Sequence, residues 1–151
     1  FRRLEQRGDM TFRRPANHQV CIDDQVMIPK LVIADTFWTR AVGLLGQPSL
    51  PEGMGLWIRG AASIHTVGMK FPIDLVFLDR ARRVVATSVN VPPGRMRFGG
   101  LGAESVIEVQ TGWLEMNGFT AGALVKISPA LPDTHTSGAE ALPSPRSPAQ
   151  S

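Results

Sequence analysis

Residues 63–79 read Ser-Ile-His-Thr-Val-Gly-Met-Lys-Phe-Pro-Ile-Asp-Leu-Val-Phe-Leu-Asp, and they contain the most apolar strand candidate of the chain. Residues 73–78 are apolar except for Asp74 and show no alternation, so both faces of the strand that they predict should be covered. Pro72 favours an extended backbone just before this strand. We therefore place the strand at the centre of the fold, with a carboxylate set into its beginning.

The segments on either side of this strand predict further short strands that are joined by turns. Residues 79–82 predict a hairpin turn and residues 83–91 its partner strand. Further strands are predicted at 31–34, 54–58, 105–109 and 124–127, and helices at 36–45 and 111–117. This pattern indicates a mainly β (α+β) fold, which is a small, partly closed antiparallel β-barrel or sandwich of about six or seven short strands with two short helices.

Length and composition predict one folded domain. The chain has 151 residues and a hydrophobic fraction of 43%, which suits a single globular unit. We predict a basic, largely irregular N-terminal arm at 1–30, a single β-rich domain at 31–127 and a disordered C-terminal tail at 128–151. No apolar run approaches the length of a membrane span, and no secretory signal is recognisable, so we expect a cytoplasmic protein.

Charge and cysteine content narrow the function classes. The net charge of +3 comes from 16 basic and 13 acidic residues, and much of the excess lies before Pro15, where a solvated arm is predicted. We therefore expect no nucleic-acid partner. The single Cys21 excludes an intramolecular disulfide and a cysteine-rich zinc site. Because no phosphate loop, nucleophile motif or metal-ligand spacing is present, we expect no metal, no cofactor and no assigned catalytic residue.

Asp74 is the sharpest candidate for a functional residue. By alternation it shares a face with Val76 and Leu78, so it should point toward covered surface. A buried carboxylate needs hydrogen-bond donors or a cation. Two interpretations stay open: a structural carboxylate satisfied by backbone N–H groups and an arginine, or a base, ligand or binding carboxylate.

Four other residues complete the candidate site. His65 is either packed against a carbonyl or in contact with Asp74 across the bend that separates them. Glu108 lies in an apolar strand, as Asp74 does, and the glycine-rich loop predicted at 95–102 is long enough to move. The side chains could converge on one mixed-charge pocket or form scattered ion pairs. The candidate binding residues are Arg40, His65, Asp74, Arg95 and Glu108.

The chain resembles a known family, the domain of unknown function 192 (DUF192) family of bacteria and archaea. The resemblance rests on Thr36-x-x-x-Arg40-x-x-Gly43, Gly53-Met54-Gly55-Leu56, Ile64-His65-Thr66-x-Gly68-Met69, Phe71-Pro72-Ile73-Asp74-x-Val76-Phe77-Leu78-Asp79 and Pro93-Gly94-Arg95. Order and spacing agree from about residue 31 to 127. The resemblance implies a compact β-rich fold and brings no established activity. A branch of the family has Trp-Met-Lys-Asn-Thr in place of residues 65–69, which implies that an imidazole there is not general.

Three functions are consistent with these residues, in a definite order. The first is a non-catalytic small-ligand or peptide binding or accessory module with a mixed-charge pocket. The second is a structural protein-interaction domain, and the third is a hydrolase that uses a His65–Asp74 pair. We expect the partner to be a small molecule or a peptide, with no membrane span and a monomeric chain.

Overall fold

A computed structural model describes residues 16–34 and 48–130, and within these ranges the chain forms nine strands and one helix. The strands are β1 (His18–Ile22), β2 (Gln25–Ala34), β3 (Met54–Arg59), β4 (Ser63–His65), β5 (Ile73–Leu78), β6 (Val84–Val91), β7 (Met96–Phe98), β8 (Ser105–Gln110) and β9 (Lys126–Pro129), and the helix is α1 (Trp113–Asn117). The helix predicted at 36–45, including Arg40, lies outside the described residues.

Seven strands form one large sheet in the order β6-β5-β8-β3-β2-β1-β9, and β4 pairs with β7 separately. Only β2 and β3 pair in parallel; every other neighbouring pair is antiparallel. A bridge between Arg83 and Leu124 links the residues just before β6 with those just before β9. The predicted mainly β, mostly antiparallel fold is confirmed. Of its two variants the sandwich fits, because the sheet does not close into a barrel, and the strands outnumber those predicted.

The prediction that β5 is covered on both faces is confirmed, and β5 is an interior strand next to the edge strand β6. All six of its residues are buried, and it lies between β6 and β8. Its side chains alternate between two hydrophobic clusters, one on each face of the sheet. We call the face that carries Asp74, Val76 and Leu78 the Asp74 face, and the face that carries Leu75 and Phe77 the Glu108 face, because Glu108 pairs with Leu75.

Each face of the sheet is covered by different segments. Leu114 of α1 and Val125 pack on the Asp74 face. Ile64 of β4, with Met69 and Phe71, packs on the Glu108 face. Apolar burial on both sides explains why β5 carries an apolar run without alternation.

The sheet begins at His18, earlier than the predicted domain boundary at residue 31. β1 and β2 form a hairpin in which Ile22 pairs with Gln25, and both turn residues, Asp23 and Asp24, have positive φ values of 48° and 61°. A two-residue turn with positive φ at both positions matches the strand twist, but Asp-Asp is a weaker signal for it than Asn-Gly. Proline is disfavoured inside a sheet, and Pro29 is accommodated because a register shift interrupts the β1–β2 pairing.

The loop predicted at 95–102 is wrong for residues 96–98, which form β7. Ser63 pairs with Phe98 and His65 with Met96. Gly99 follows, and a Cβ atom there would lie 2.5 Å from the Ala103 Cβ and 2.6 Å from the Phe77 Cδ1. This glycine therefore serves a close approach to the core, not mobility.

No helix within residues 16–34 and 48–130 combines the length and the apolar character needed to cross a membrane.

Candidate functional site

The Asp74 side chain is completely buried, with 0% of its surface exposed, and both of its oxygens are engaged. Oδ1 accepts a hydrogen bond from the Asn90 backbone N–H at 2.8 Å, and Oδ2 accepts one from the Leu114 backbone N–H at 3.0 Å. One carboxylate thereby joins β5 to the end of β6 and to the start of α1. We refer to this arrangement as the Asp74 corner.

The Asn90 N–H is available to Asp74 because β6 contains a bulge. Ile73 pairs with Val91 but Leu75 pairs with Ser88, so β6 has one residue more than β5 between these pairs. A bulge leaves a backbone group outside the ladder. Asn90 adopts a positive φ of 48° at this point, a conformation that asparagine tolerates better than most residues.

The Leu114 N–H is available because α1 lacks a capping side chain of its own. The residue before the helix is Gly112, with a φ of 87° and no side-chain hydrogen bond to the helix. The first N–H groups of a helix have no intrahelical acceptor. Asp74 supplies that acceptor from a different element, so α1 is capped through the tertiary structure.

A surface depression of about 640 Å³ lies over the Asp74 corner. Asn90 and Thr111 both line it, and the Asn90 Oδ1 accepts a hydrogen bond from the Thr111 hydroxyl at 3.2 Å. We call it the Asn90 depression. Its lining residues are Asp74, Thr87, Val89, Asn90, Thr111, Gly112, Leu114, Glu115 and Phe119.

The second predicted carboxylate, Glu108, lies on the opposite face of the sheet. It is also 0% exposed, and it pairs with Leu75 on one side and with Leu56 on the other. Glu108 shares a face with its partner Leu75, and Leu75 is the neighbour of Asp74 in β5. Because neighbouring residues of a strand point to opposite faces, Asp74 and Glu108 cannot line one pocket. The predicted pocket that contains both carboxylates is therefore not formed.

His65 and Arg95 lie close together, at the junction between β4 and β7. His65 is half-buried in β4 and pairs with Met96 of β7. Arg95 is exposed and directly precedes Met96. His65 is not a hydrogen-bond partner of Asp74, whose oxygens bind the two backbone N–H groups already described. The predicted contact between His65 and Asp74 is thus absent, and Arg40 lies outside the described residues.

Thr66 organises this second region, which we call the Thr66 corner. Its side chain, 1% exposed, donates to the Pro92 carbonyl at 2.7 Å and accepts from the Arg95 backbone N–H at 2.9 Å. Its own backbone N–H donates to the Arg95 carbonyl at 2.8 Å. Sequence reasoning did not single out Thr66 for this role. A buried hydroxyl that is followed by a glycine at residue 68 is too common a pattern to signal it.

Metal ligation has no visible basis in the part of the chain that the structure describes. No three His, Cys, Asp or Glu side chains of residues 16–34 and 48–130 are grouped so that they could hold a metal ion.

The fold and these contacts define a compact, mostly antiparallel β domain with a carboxylate-anchored depression beside its central strand. Residues 18–127 match the model of the DUF192 family, whose description is "Uncharacterized ACR, COG1430". The chain belongs to this family, and the resemblance inferred from the sequence is confirmed. No curated protein matches the chain at a significant level.

Two solved structures share the fold. One is a protein of unknown function from Novosphingobium aromaticivorans DSM 12444, with 20% identity, a TM-score of 0.63, and coverage of 73% of this chain and 83% of that chain. The other is described as a "putative transcription regulator" from Sinorhizobium meliloti 1021, with 13% identity, a TM-score of 0.65, and coverage of 79% of this chain and 97% of that chain. At these identities the similarity concerns the fold alone.

Proposed function

We propose that this domain is a non-catalytic binding module for a small polar ligand and that the Asn90 depression is its binding site. The observation that carries the proposal is that Asp74 fixes both walls of the depression. Its carboxylate binds the end of β6 through Asn90 and the start of α1 through Leu114. Walls that are already fixed reduce the ordering cost of binding, which is the advantage of a preformed site.

The lining of the depression indicates which kind of ligand it would suit. Thr87 and Thr111 provide hydroxyl groups, Asn90 an amide and Glu115 a carboxylate, while Val89 and Phe119 provide apolar surface. Among the lining residues that the structure describes there is no Lys, Arg or His, so these residues provide no positive charge to neutralise an anion. The lining suits a neutral or cationic molecule that carries hydroxyl or amine donors and a short apolar part.

Asp74 acts in this site as a positioning residue. Asp74 is one of the lining residues, but its side chain is 0% exposed, so a ligand in the depression would mainly touch the groups that Asp74 holds. His65 is not part of the lining. The His65–Asp74 pair that a hydrolase would need is therefore not assembled here, which supports a binding role over the hydrolytic alternative.

A titration followed by ¹H–¹⁵N NMR tests this proposal with three probes at matched ionic strength: ethanolamine as a cation, glycerol as a neutral polyol and acetate as an anion. We expect saturable shifts of the Asn90, Thr111 and Gly112 amides with ethanolamine or glycerol and none with acetate. Saturable shifts with acetate alone, or with none of the three probes, would contradict the proposal.

A pair of matched variants assigns any ethanolamine binding to the depression. Glu115 lines it, whereas Glu104, which is also exposed, lies at the other end of β8. We expect Glu115→Gln to weaken ethanolamine binding several-fold, the size of one exposed ion pair, and Glu104→Gln to leave it unchanged. Equal effects of the two variants would mean that the cation responds only to the overall charge.

A further inference from the structure

The outer side of the β4–β7 sheet carries exposed apolar side chains. Met96 and Phe98 are exposed and alternate with the half-buried Arg97 along β7, so both lie on the same side of this strand. The other side is directed at the core, because Arg97 pairs with Ile64, which is buried against the Glu108 face. Phe98, which is 69% exposed, therefore faces away from the core.

The loop after β7 adds a fully exposed leucine. Leu101 is completely exposed, whereas Gly99 and Ala103 on either side of it are buried. The Ala103 N–H donates to the Gly100 carbonyl at 3.3 Å, which closes the turn that carries Leu101. Leu101 thus lies at the tip of a short loop that is anchored at both ends, and its Cα atom is no more than about 11 Å from that of Phe98.

The charged residues of this region all have the same sign. Residues 61–72 and 92–103 form β4, β7 and the turns beside them, and they contain no Asp or Glu. Their charged residues are Lys70, Arg95 and Arg97. The next acidic residue, Glu104, follows the loop, where its N–H donates to the Leu78 carbonyl of β5. Apolar exposure and positive charge therefore coincide along β7.

We propose that this surface, the β7 patch, binds peripherally to an anionic lipid membrane. The exposed side chains of the patch are Val67, Lys70, Arg95, Met96, Phe98 and Leu101. Apolar groups beside Lys and Arg suit the interface of an anionic bilayer, because the apolar groups enter the acyl boundary while the cations meet the headgroups. The patch lies over the Glu108 face, so the proposal does not depend on the function of the Asn90 depression.

Charge and shape favour a lipid surface over a second copy of the chain. A two-fold contact between copies would bring the same cations close to each other, which disfavours association. A fully exposed side chain at a loop tip would need a matching pocket in a folded partner, whereas a fluid bilayer accommodates Leu101 without one.

Co-sedimentation of the full chain with lipid vesicles tests the proposal. One set of vesicles is phosphatidylcholine alone, and the other is an equal mixture of phosphatidylcholine and phosphatidylglycerol. We expect binding to the mixed vesicles that weakens as salt is raised, and binding to neutral vesicles that is at least several-fold weaker. No binding to the mixed vesicles would overturn the proposal.

Two pairs of variants distinguish the β7 patch from attraction by the net charge of +3 alone. We expect Leu101→Ser to weaken binding about tenfold, since one leucine side chain no longer enters the bilayer, and Met116→Ser, at an exposed position on α1, to change it less than about twofold. Arg95→Gln should weaken binding about fivefold, and Lys30→Gln, the same loss of charge at an exposed position on β2, less than about twofold.

Thermal unfolding checks that all four variants remain folded. The backbone of Arg95, not its guanidinium, makes the hydrogen bonds to Thr66, so Arg95→Gln retains the Thr66 corner. Equal effects within either pair would overturn the proposal. A concentration-dependent dimer in solution that Leu101→Ser abolishes would also overturn it, because the patch would then be an interface between copies of the chain.

Discussion

In both the Asp74 corner and the Thr66 corner, a buried polar side chain binds backbone groups of distant segments, but the two side chains differ in chemistry. Both residues are buried polar groups, and each connects segments that are distant in the chain. Asp74 accepts from two backbone N–H groups and can donate nothing, so it collects donors from a bulge and from a helix start. The Thr66 hydroxyl accepts a hydrogen bond from the Arg95 N–H and donates one to the Pro92 carbonyl, so it binds the segment between β6 and β7 at two points.

The difference shows what a buried polar residue can be used for. The carboxylate makes charge-assisted hydrogen bonds. Its loss leaves two backbone N–H donors without an acceptor and should lower the stability of the fold more than the loss of the hydroxyl. The hydroxyl is neutral and adaptable, and its loss should loosen one loop. Neither group is offered to solvent, and both organise the surfaces above them.

Removing the acceptor at the Asp74 corner should have the largest effect. In Asp74→Ala the buried N–H groups of Asn90 and Leu114 would lose their partners, and we expect a loss of about 3–5 kcal/mol in the free energy of unfolding. Urea denaturation followed by circular dichroism measures it. The helix α1 and the end of β6 should also lose amide protection, since both depend on the same carboxylate.

Asp79→Ala is the control for that experiment. Its carboxylate also accepts a backbone N–H, from Arg83, but in an exposed turn where water can replace it. We expect about 1 kcal/mol or less. Similar losses for the two aspartates would show that burial does not distinguish them and would break the comparison.

The Glu108 face should be more sensitive to added volume than to lost polarity. In Gly99→Ala the new methyl group would overlap the Phe77 ring and the Ala103 methyl, and we expect a loss of roughly 1–3 kcal/mol. Gly55→Ala is the matched change, because its nearest contact would be the Ile28 Cγ2 at 3.2 Å, a side-chain atom that can shift. Thermal unfolding should show a clearly smaller effect at residue 55.

Changing the hydroxyl at the Thr66 corner should have the smallest effect of the three. Thr66→Val keeps the shape but loses the bonds to Pro92 and Arg95, for which we expect about 1–2 kcal/mol. Thr66→Ser keeps both bonds. Hydrogen exchange at the Arg95 amide separates the two variants: the exchange should accelerate in Thr66→Val and stay slow in Thr66→Ser. Equal acceleration would assign the protection to packing and not to the hydroxyl.

Much of the fold could be predicted because apolar runs and turn residues carry the information locally. The run at 73–78 matches β5, and the strand predicted at 54–58 matches β3, in which Leu56 and Ile58 lie on one face and Trp57 on the other. The short helix before Gly118 is confirmed as well, with Gly118 at a φ of 60°. Each depends on side-chain spacing within one segment.

The candidate site was predictable only in part, because its geometry depends on pairing between segments. Alternation within a strand can be read from the sequence, but whether Asp74 and Glu108 lie on the same face depends on the register between β5 and β8. One register would place the two carboxylates together, and a shift by one residue separates them. The roles of His65 and Arg95 as binding residues remain predictions.

The sequence by itself determined that a carboxylate would be buried in the central strand and would require donors there. An aspartate in an apolar run leaves no other outcome once the run is covered on both faces. Only the tertiary structure decided which donors bind this carboxylate. Most backbone N–H groups are already paired within strands and helices, so the available ones are those left over at a bulge and at a helix start. Their meeting at Asp74 depends on how β6 and α1 pack against β5.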